Sequence, residues 1–220
     1  DDTLWAFSEN ARGTFREMYD KHGYSRYFRS FEHFYELYQC RNRELWAEYA
    51  DGKVTKDGLN RQRFLYPLQA VGVDDAALAG RFAADFFSVI PTKSKLMPHA
   101  REVLEYLSGK YNLYILSNGF HELQGRKMQS AGIRHYFKKV VLSDDIGILK
   151  PGQAIFHFAL SATQSQLRES LMIGDSWDSD VVGAKGVGMH QVFYDLVGRD
   201  DLPFCPTYHI HDLKELEKIL

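Results

Sequence analysis

The run Leu171-Met172-Ile173-Gly174-Asp175-Ser176-Trp177-Asp178-Ser179-Asp180 decides the fold of this chain. Three apolar residues stop at a glycine and an acid, and a helical stretch follows near Asp180 to Lys185. That is the profile of a short strand buried on both faces and feeding a helix. The same unit recurs on either side. Upstream, Tyr111 to Ser117 reads as a strand before a helix at about 120–131, and Val140 to Ser143 as a strand before a helix at 151–162. Downstream, Gln191 to Tyr194 and Thr207 to Ile210 read as strands, with a last helix from Asp212. Gly132, Gly186 and Gly188 fall where helices would end. The rhythm predicts an α/β fold, a doubly wound parallel sheet with helices on both faces.

The first half has a different period. Phe15, Met18 and Tyr19, then Phe31, Phe34, Tyr35, Leu37 and Tyr38, recur at helical spacing. Trp46, Tyr49, Phe64, Leu68, Phe82, Phe86 and Phe87 continue the series, and strand signals are nearly absent. The expectation is an all-helical domain at 11–92 inserted into an α/β core made of residues 1–10 and 93–220, with a return linker around Ile90 to Pro98.

Composition bounds the function. Of 220 residues, 45% are hydrophobic and 25% charged, which excludes a disordered chain and a coiled coil. A net charge of −2 gives no electrostatic reason to expect a nucleic-acid polymer as partner. No apolar run approaches a membrane span and no basic, apolar leader opens the sequence, so neither a membrane nor secretion is expected. Cys40 and Cys205 form no metal spacing or disulfide framework, and the expected setting is the cytoplasm. His209 and His211 alternate on one strand face without a third ligand at metal spacing and read as a surface pair. Arg41, Arg43, Arg61 and Arg63 are interleaved with acids and read as a solvated helix face.

Ligands of an open parallel sheet bind beyond the carboxyl ends of its strands. Ser117 follows the first internal strand, Asp144 and Asp145 the second and Asp175 the third, while Lys150 stands before the helix that opens at Pro151. Taken singly, Ser117 and Asp175 are ordinary helix caps, Asp178 and Asp180 ordinary first-turn acids, and Lys150 one more surface lysine. Together they form an ordered set: Asp1-Asp2-Thr3-Leu4, Leu116-Ser117-Asn118-Gly119, Lys150-Pro151 and Gly174-Asp175 followed by Asp180. This order resembles the four motifs of the haloacid dehalogenase superfamily of hydrolases. The resemblance spans the whole chain, and the helical insert is similar to that superfamily's α-helical cap.

The resemblance implies a mechanism. The family's first motif is Asp-x-Asp-x-Thr, so Thr3 in register makes Asp1 its second aspartate and puts the nucleophile two residues before Asp1. The expectation is a natural chain that extends upstream through a short apolar strand ending in Asp-x. By this resemblance the upstream aspartate attacks phosphorus to give an aspartyl-phosphate, and Asp1 protonates the leaving alcohol and then activates water. Mg²⁺ is the implied cofactor, held by the upstream carboxylate, the Asp1 carbonyl and Asp175, with Asp180 orienting its waters. Ser117 and nearby backbone N–H groups, with Asn118, would bind phosphate, and Lys150 would neutralise developing charge. Dehalogenases of the superfamily place an aromatic residue where Asp1 stands, so Asp1 argues for phosphate esters.

The run Asn42, Leu45, Trp46, Tyr49, Gly52, Thr55, Leu59, Arg63 and Phe64 is similar to the cap of the noncanonical pyrimidine nucleotidase branch. So are Phe120, His121, Leu123 and Gln124, and the segment from Gly132 to Phe137. The implied substrate is a small phosphomonoester, a nucleoside 5′-monophosphate with pyrimidines preferred, contacted by Trp46 and Arg63. Trp46 is equally placed to be core, and Arg63 to be solvated. A sugar-phosphate phosphatase, a phosphomutase or a non-catalytic phosphate-binding protein are the rival readings, and the oligomeric state is left open.

Overall fold

The computed structural model describes residues 1–220, which divide into two compact units, Ser8–Lys93 and Asp1–Phe7 with Ser94–Leu220. The first unit is built from helices α1 (Phe7–Lys21), α2 (Phe31–Ala50), α3 (Lys56–Ala70) and α4 (Ala76–Val89). Their starts are set by local chemistry. Ser30 accepts from the His33 N–H ahead of α2, Thr55 from Gly58 N–H ahead of α3 and Asp75 from Leu78 N–H ahead of α4. Their inner faces are aromatic. The Phe15 ring lies 4.2 Å from Tyr38 and 4.3 Å from Phe86, and Tyr24 lies 4.7 Å from Phe82, centroid to centroid. Phe15, Phe31, Phe34 and Phe82 are fully buried. Tilted and edge-on pairs at these separations stabilise beyond the area they bury.

The second unit alternates strands and helices: α5 (Ala100–Ser108), β1 (Leu113–Ser117), α6 (His121–Ser130), β2 (Phe137–Leu142), α7 (Gln153–Thr163), β3 (Leu171–Gly174), α8 (Val182–Gly186), β4 (His190–Tyr194), β5 (Tyr208–Ile210) and α9 (Leu216–Ile219). Every strand pairing is parallel. The strands form two ladders, β1-β2 and β3-β4-β5. β4 is paired on both sides and buried from Gln191 to Tyr194.

Strand alternation distributes β4 to two faces. Val192 and Tyr194 pack with Val103 and Leu107 of α5 and Leu216 of α9, while Phe193 packs on the other face with Trp177 and Val181. Helices on both faces of parallel strands, with an all-helical insert, are the α/β class read from the sequence. One local feature differs: the helix expected from Asp180 is preceded by a π-helical turn at Trp177–Val181. No helix is long and apolar enough to cross a membrane.

Candidate active site

The carboxyl ends of β1 and β3 meet through Lys150. Its Nζ donates to the Leu116 carbonyl at 2.9 Å and to Asp180 Oδ1 at 2.5 Å. Both side chains of this ion pair are almost wholly buried, so removing either would leave an uncompensated charge. Asp180 Oδ2 accepts from the Ser176 N–H at 3.1 Å. A Cβ at Gly174 would overlap that carboxylate, so the strand must end in glycine for Asp180 to fold back onto it. Lys150 is fixed from its own backbone as well: its N–H donates to Asn118 Oδ1 and its carbonyl accepts from Asn118 Nδ2. The Asn118 amide is thus committed at both ends to holding Lys150, a role different from the substrate contact expected of it.

Ser117 ends β1. Its Oγ accepts from the Gly119 N–H at 3.0 Å and from Gln124 Nε2 at 2.7 Å, leaving the hydroxyl proton to be donated outward. Gln124 crosses so close to Gly119 that a Cβ there would overlap its amide.

Asp175 stands one residue past β3 and is half-buried. Its Oδ1 accepts from Thr3 Oγ1 at 2.5 Å, which ties the Asp1–Phe7 segment to the same edge. That segment turns sharply: Asp2 has φ 55° and its N–H bonds the Trp5 carbonyl, and Trp5 pairs with Leu96 in an antiparallel bridge. Burial raises the Asp175 pKa, with the Thr3 hydrogen bond acting the other way. A half-buried carboxylate that accepts from the Thr3 hydroxyl, beside a second buried acid, is a donor set that suits a hard divalent cation. Asp1, Asp175 and the Asp180–Lys150 pair gather around one strand edge.

The sequence placed neither Gln124, quoted only for its family likeness, nor Lys127 in the site. Gln124 and Lys127 lie three apart on α6, on the face that also buries Met128. Lys127 Nζ pairs with Asp1 Oδ1 and lies 4.3 Å from the Trp5 ring centroid and 5.5 Å from that of Phe7. Burial lowers its pKa from 10.5 to about 7, with the Asp2 charge opposing. The only signal for it was spacing: a polar pair at i, i+3 in register with one of the few apolar residues of α6.

Two expectations about surface residues are corrected. Arg63 is buried, not part of a solvated face. Its guanidinium bonds Asn42 and Asn60 and lies over the Phe64 and Phe87 rings, its Nε is unpartnered, and burial lowers its pKa while Tyr38 opposes the shift. Trp46, half-buried, sets its ring edge-on to Tyr49 at 5.8 Å. His209 and His211 do have a third potential ligand, since Asp195 brings their ligating atoms within 4.8 Å of one another. The adjacent parallel strand β4 carries it there. Its oxygens accept from the Val197, Gly198 and Arg199 N–H groups and from His209 Nε2, so its present work is to anchor that loop.

Known proteins are similar to this chain. Pyrimidine 5′-nucleotidase YjjG of Escherichia coli (strain K12) is 30% identical over 188 residues, 84% of this chain and 82% of that protein. Phosphoserine phosphatase of Thermus thermophilus is 36% identical over 179 residues, 78% of this chain and 71% of its own length. The crystal structure of the putative HAD-hydrolase YfnB from Bacillus subtilis, bound to magnesium, has the same fold, with a TM-score of 0.88 at 24% identity over 100% of this chain and 95% of that one. The family model for haloacid dehalogenase-like hydrolases matches residues 1–188, which include all four motif segments, and the chain belongs to that family.

Proposed function

We propose that the protein is a Mg²⁺-dependent phosphomonoester hydrolase that works through an aspartyl-phosphate and acts on nucleoside 5′-monophosphates, pyrimidines preferred. The observation that carries this reading is the convergence of Asp1, Thr3, Ser117, Lys150 and Asp175 on one strand edge, with Thr3 tied to Asp175 and Lys150 to Asp180 and Leu116. In register with the family motif, the nucleophile is an aspartate two residues before Asp1. Its carboxylate attacks phosphorus as the bond to the alcohol breaks, and Asp1 gives the departing oxygen a proton. Water then attacks the phosphorus of the acyl phosphate, Asp1 takes its proton, and phosphate leaves with the aspartate restored. Ser117 donates to a phosphoryl oxygen, and Lys150 faces the charge that develops.

Mg²⁺ would supply positive charge beside the phosphoryl oxygens, held by the upstream carboxylate, the Asp1 carbonyl and Asp175. Asp180, bonded to Lys150 and to the Ser176 N–H, orients that lysine and would orient waters of the metal. The nucleotide assignment is supported by the likeness to a protein named as a pyrimidine 5′-nucleotidase. Trp46 and Arg63 are the proposed nucleoside contacts. Arg63 is bonded only to neutral groups, which leaves its charge to an acceptor-rich ligand.

The test is phosphate release, with and without Mg²⁺, by protein carrying its upstream segment. The panel holds nucleoside monophosphates, sugar phosphates and phosphoserine. Metal-dependent release led by pyrimidine nucleotides is the expected result. Release led by sugar phosphates or phosphoserine keeps the chemistry and replaces the substrate, and no release from any ester removes the hydrolase reading. Asp175→Asn is expected to abolish Mg²⁺-dependent release while leaving the circular dichroism spectrum unchanged.

A further inference from the structure

Apart from Lys150, Lys127 is the one buried ammonium in the α/β unit, and the proposed chemistry leaves it without a task. Only 5% of its side chain is exposed. Placing a lysine there costs several kcal/mol unless its charge is offset; three groups around it oppose that cost without cancelling it, and burial still holds its pKa down. One is the Asp1 carboxylate; the others are the faces of Trp5 and Phe7, where the ring quadrupole attracts a cation. All three come from the same seven-residue segment. The turn at Asp2 and the bridge from Trp5 to Leu96 hold that segment against the unit. α6 thus presents two polar side chains to the site at i and i+3, Gln124 to Ser117 Oγ and Lys127 to Asp1 Oδ1.

We infer that Lys127 is a positioning residue for the acid–base step: clamped between Trp5 and Phe7, it pins Asp1 Oδ1 so that Oδ2 faces the ester oxygen of the substrate. The inference rests on the proposed role of Asp1. A carboxylate that both gives and takes a proton must return to one rotamer in both half-reactions. Lys127 supplies that constraint from a separate element.

The consequence is a leaving-group signature. An alkyl alcohol departs poorly without a proton, whereas p-nitrophenolate departs without one. kcat/KM reports the steps up to alcohol departure. In full-length protein, Lys127→Met is expected to lower kcat/KM by about tenfold or more on the alkyl phosphate the wild type hydrolyses best. The loss on p-nitrophenyl phosphate is expected to be at least threefold smaller. Lys127→Gln, which keeps a polar contact in the clamp, should show the same selectivity with a smaller loss and carries the test if the Met variant does not fold. Equal losses on both esters, or a loss confined to KM, overturn the inference. Asp1→Asn is run alongside. If it shows the leaving-group signature and the Lys127 variants do not, the clamp is wrong and the role of Asp1 stands. If Asp1→Asn lacks the signature, both are wrong.

Discussion

The two units of this chain bury different chemistry. In the helical unit the interior is ring against ring, with Phe15 contacting Phe34, Tyr35, Tyr38, Phe64, Phe82 and Phe86, and Arg63 is its one buried ionisable group other than tyrosine. In the α/β unit the apolar core is divided among smaller clusters, and Lys127, Asp180 and Asp195 are buried beside them. Burying charge is costly unless it is matched, so its location marks what each unit is for. One unit spends its interior on cohesion. The other gives part of it to holding ionised groups in fixed places.

The largest expected effect probes the cohesive side. Phe15 is 1% exposed at the centre of the aromatic cluster, and Phe15→Ala should lower unfolding free energy by about 4 kcal/mol, through lost burial and a cavity the rigid rings cannot close. Urea unfolding followed by far-UV circular dichroism measures it. A loss under about 1 kcal/mol would mean the cluster collapses around the gap, and the contrast between the units would fail.

The next effect probes the other side. Lys150→Ala should slow the chemical step about 100-fold, or about 3 kcal/mol, because the variant removes a charge already aimed at the site. Rapid-quench single-turnover kinetics separates this from binding. If KM alone rises, Lys150 binds substrate without favouring the transition state.

What the sequence revealed follows the same division. Apolar periodicity announces strands and aromatic helices, because burial of whole faces is a pattern over many residues. The ends of β1 and β3, with Ser117, Lys150 and Asp175, were legible because an acid or hydroxyl after a short apolar run is a local signal. Lys127 was not legible, since α6 carries Leu123 and Met128 as its only large apolar residues and a lysine on it reads as solvated. Its burial comes from Trp5 and Phe7, at the far end of the sequence. Arg63 failed for the same reason: Asn60 is its neighbour three residues back on α3, but Asn42 and the burial around it come only once α2 and α3 are packed. The partner that Asp195 gives His209 depends on β4 and β5 lying side by side, which no local window contains.

Asp195 sharpens the comparison at smaller scale. Three backbone N–H groups and His209 hold its buried carboxylate, and these bonds outweigh burial to bring its pKa from 3.8 to about 2. A depressed folded-state pKa means stability that is complete above about pH 4 and is lost as pH falls through about 2. The shift corresponds to about 2 kcal/mol. Asp195→Ala should therefore lower unfolding free energy by about 2 kcal/mol at pH 7, with the gap from wild type closing below about pH 3. A gap unchanged across that range would assign the loss to packing and not to the anion.

The smallest effect concerns helix starts, where the units also diverge. In the helical unit α2, α3 and α4 each begin on a side chain that accepts from the first turn. In the α/β unit α5, α6 and α7 begin on His99, Phe120 and Gly152 with no such bond. At the start of α6, beside Ser117, the His121 N–H donates instead to Asp144 Oδ2, a carboxylate from outside the helix. Ser30→Ala and Thr55→Ala should each cost about 1 kcal/mol. The 20 residues of α2 run between the two caps, which puts them about 30 Å apart, so the two losses should add to about 2 kcal/mol. Removing caps in the helical unit should leave the Mg²⁺ dependence of phosphate release untouched, because these caps belong to the helical unit and the proposed phosphate site is built from the other. Inorganic phosphate should raise the melting temperature of wild type and double variant by the same amount. A smaller rise in the double variant would show that cohesion of the helical unit and ligand binding at the strand edge are coupled, and the division of labour argued from buried charge would have to be abandoned.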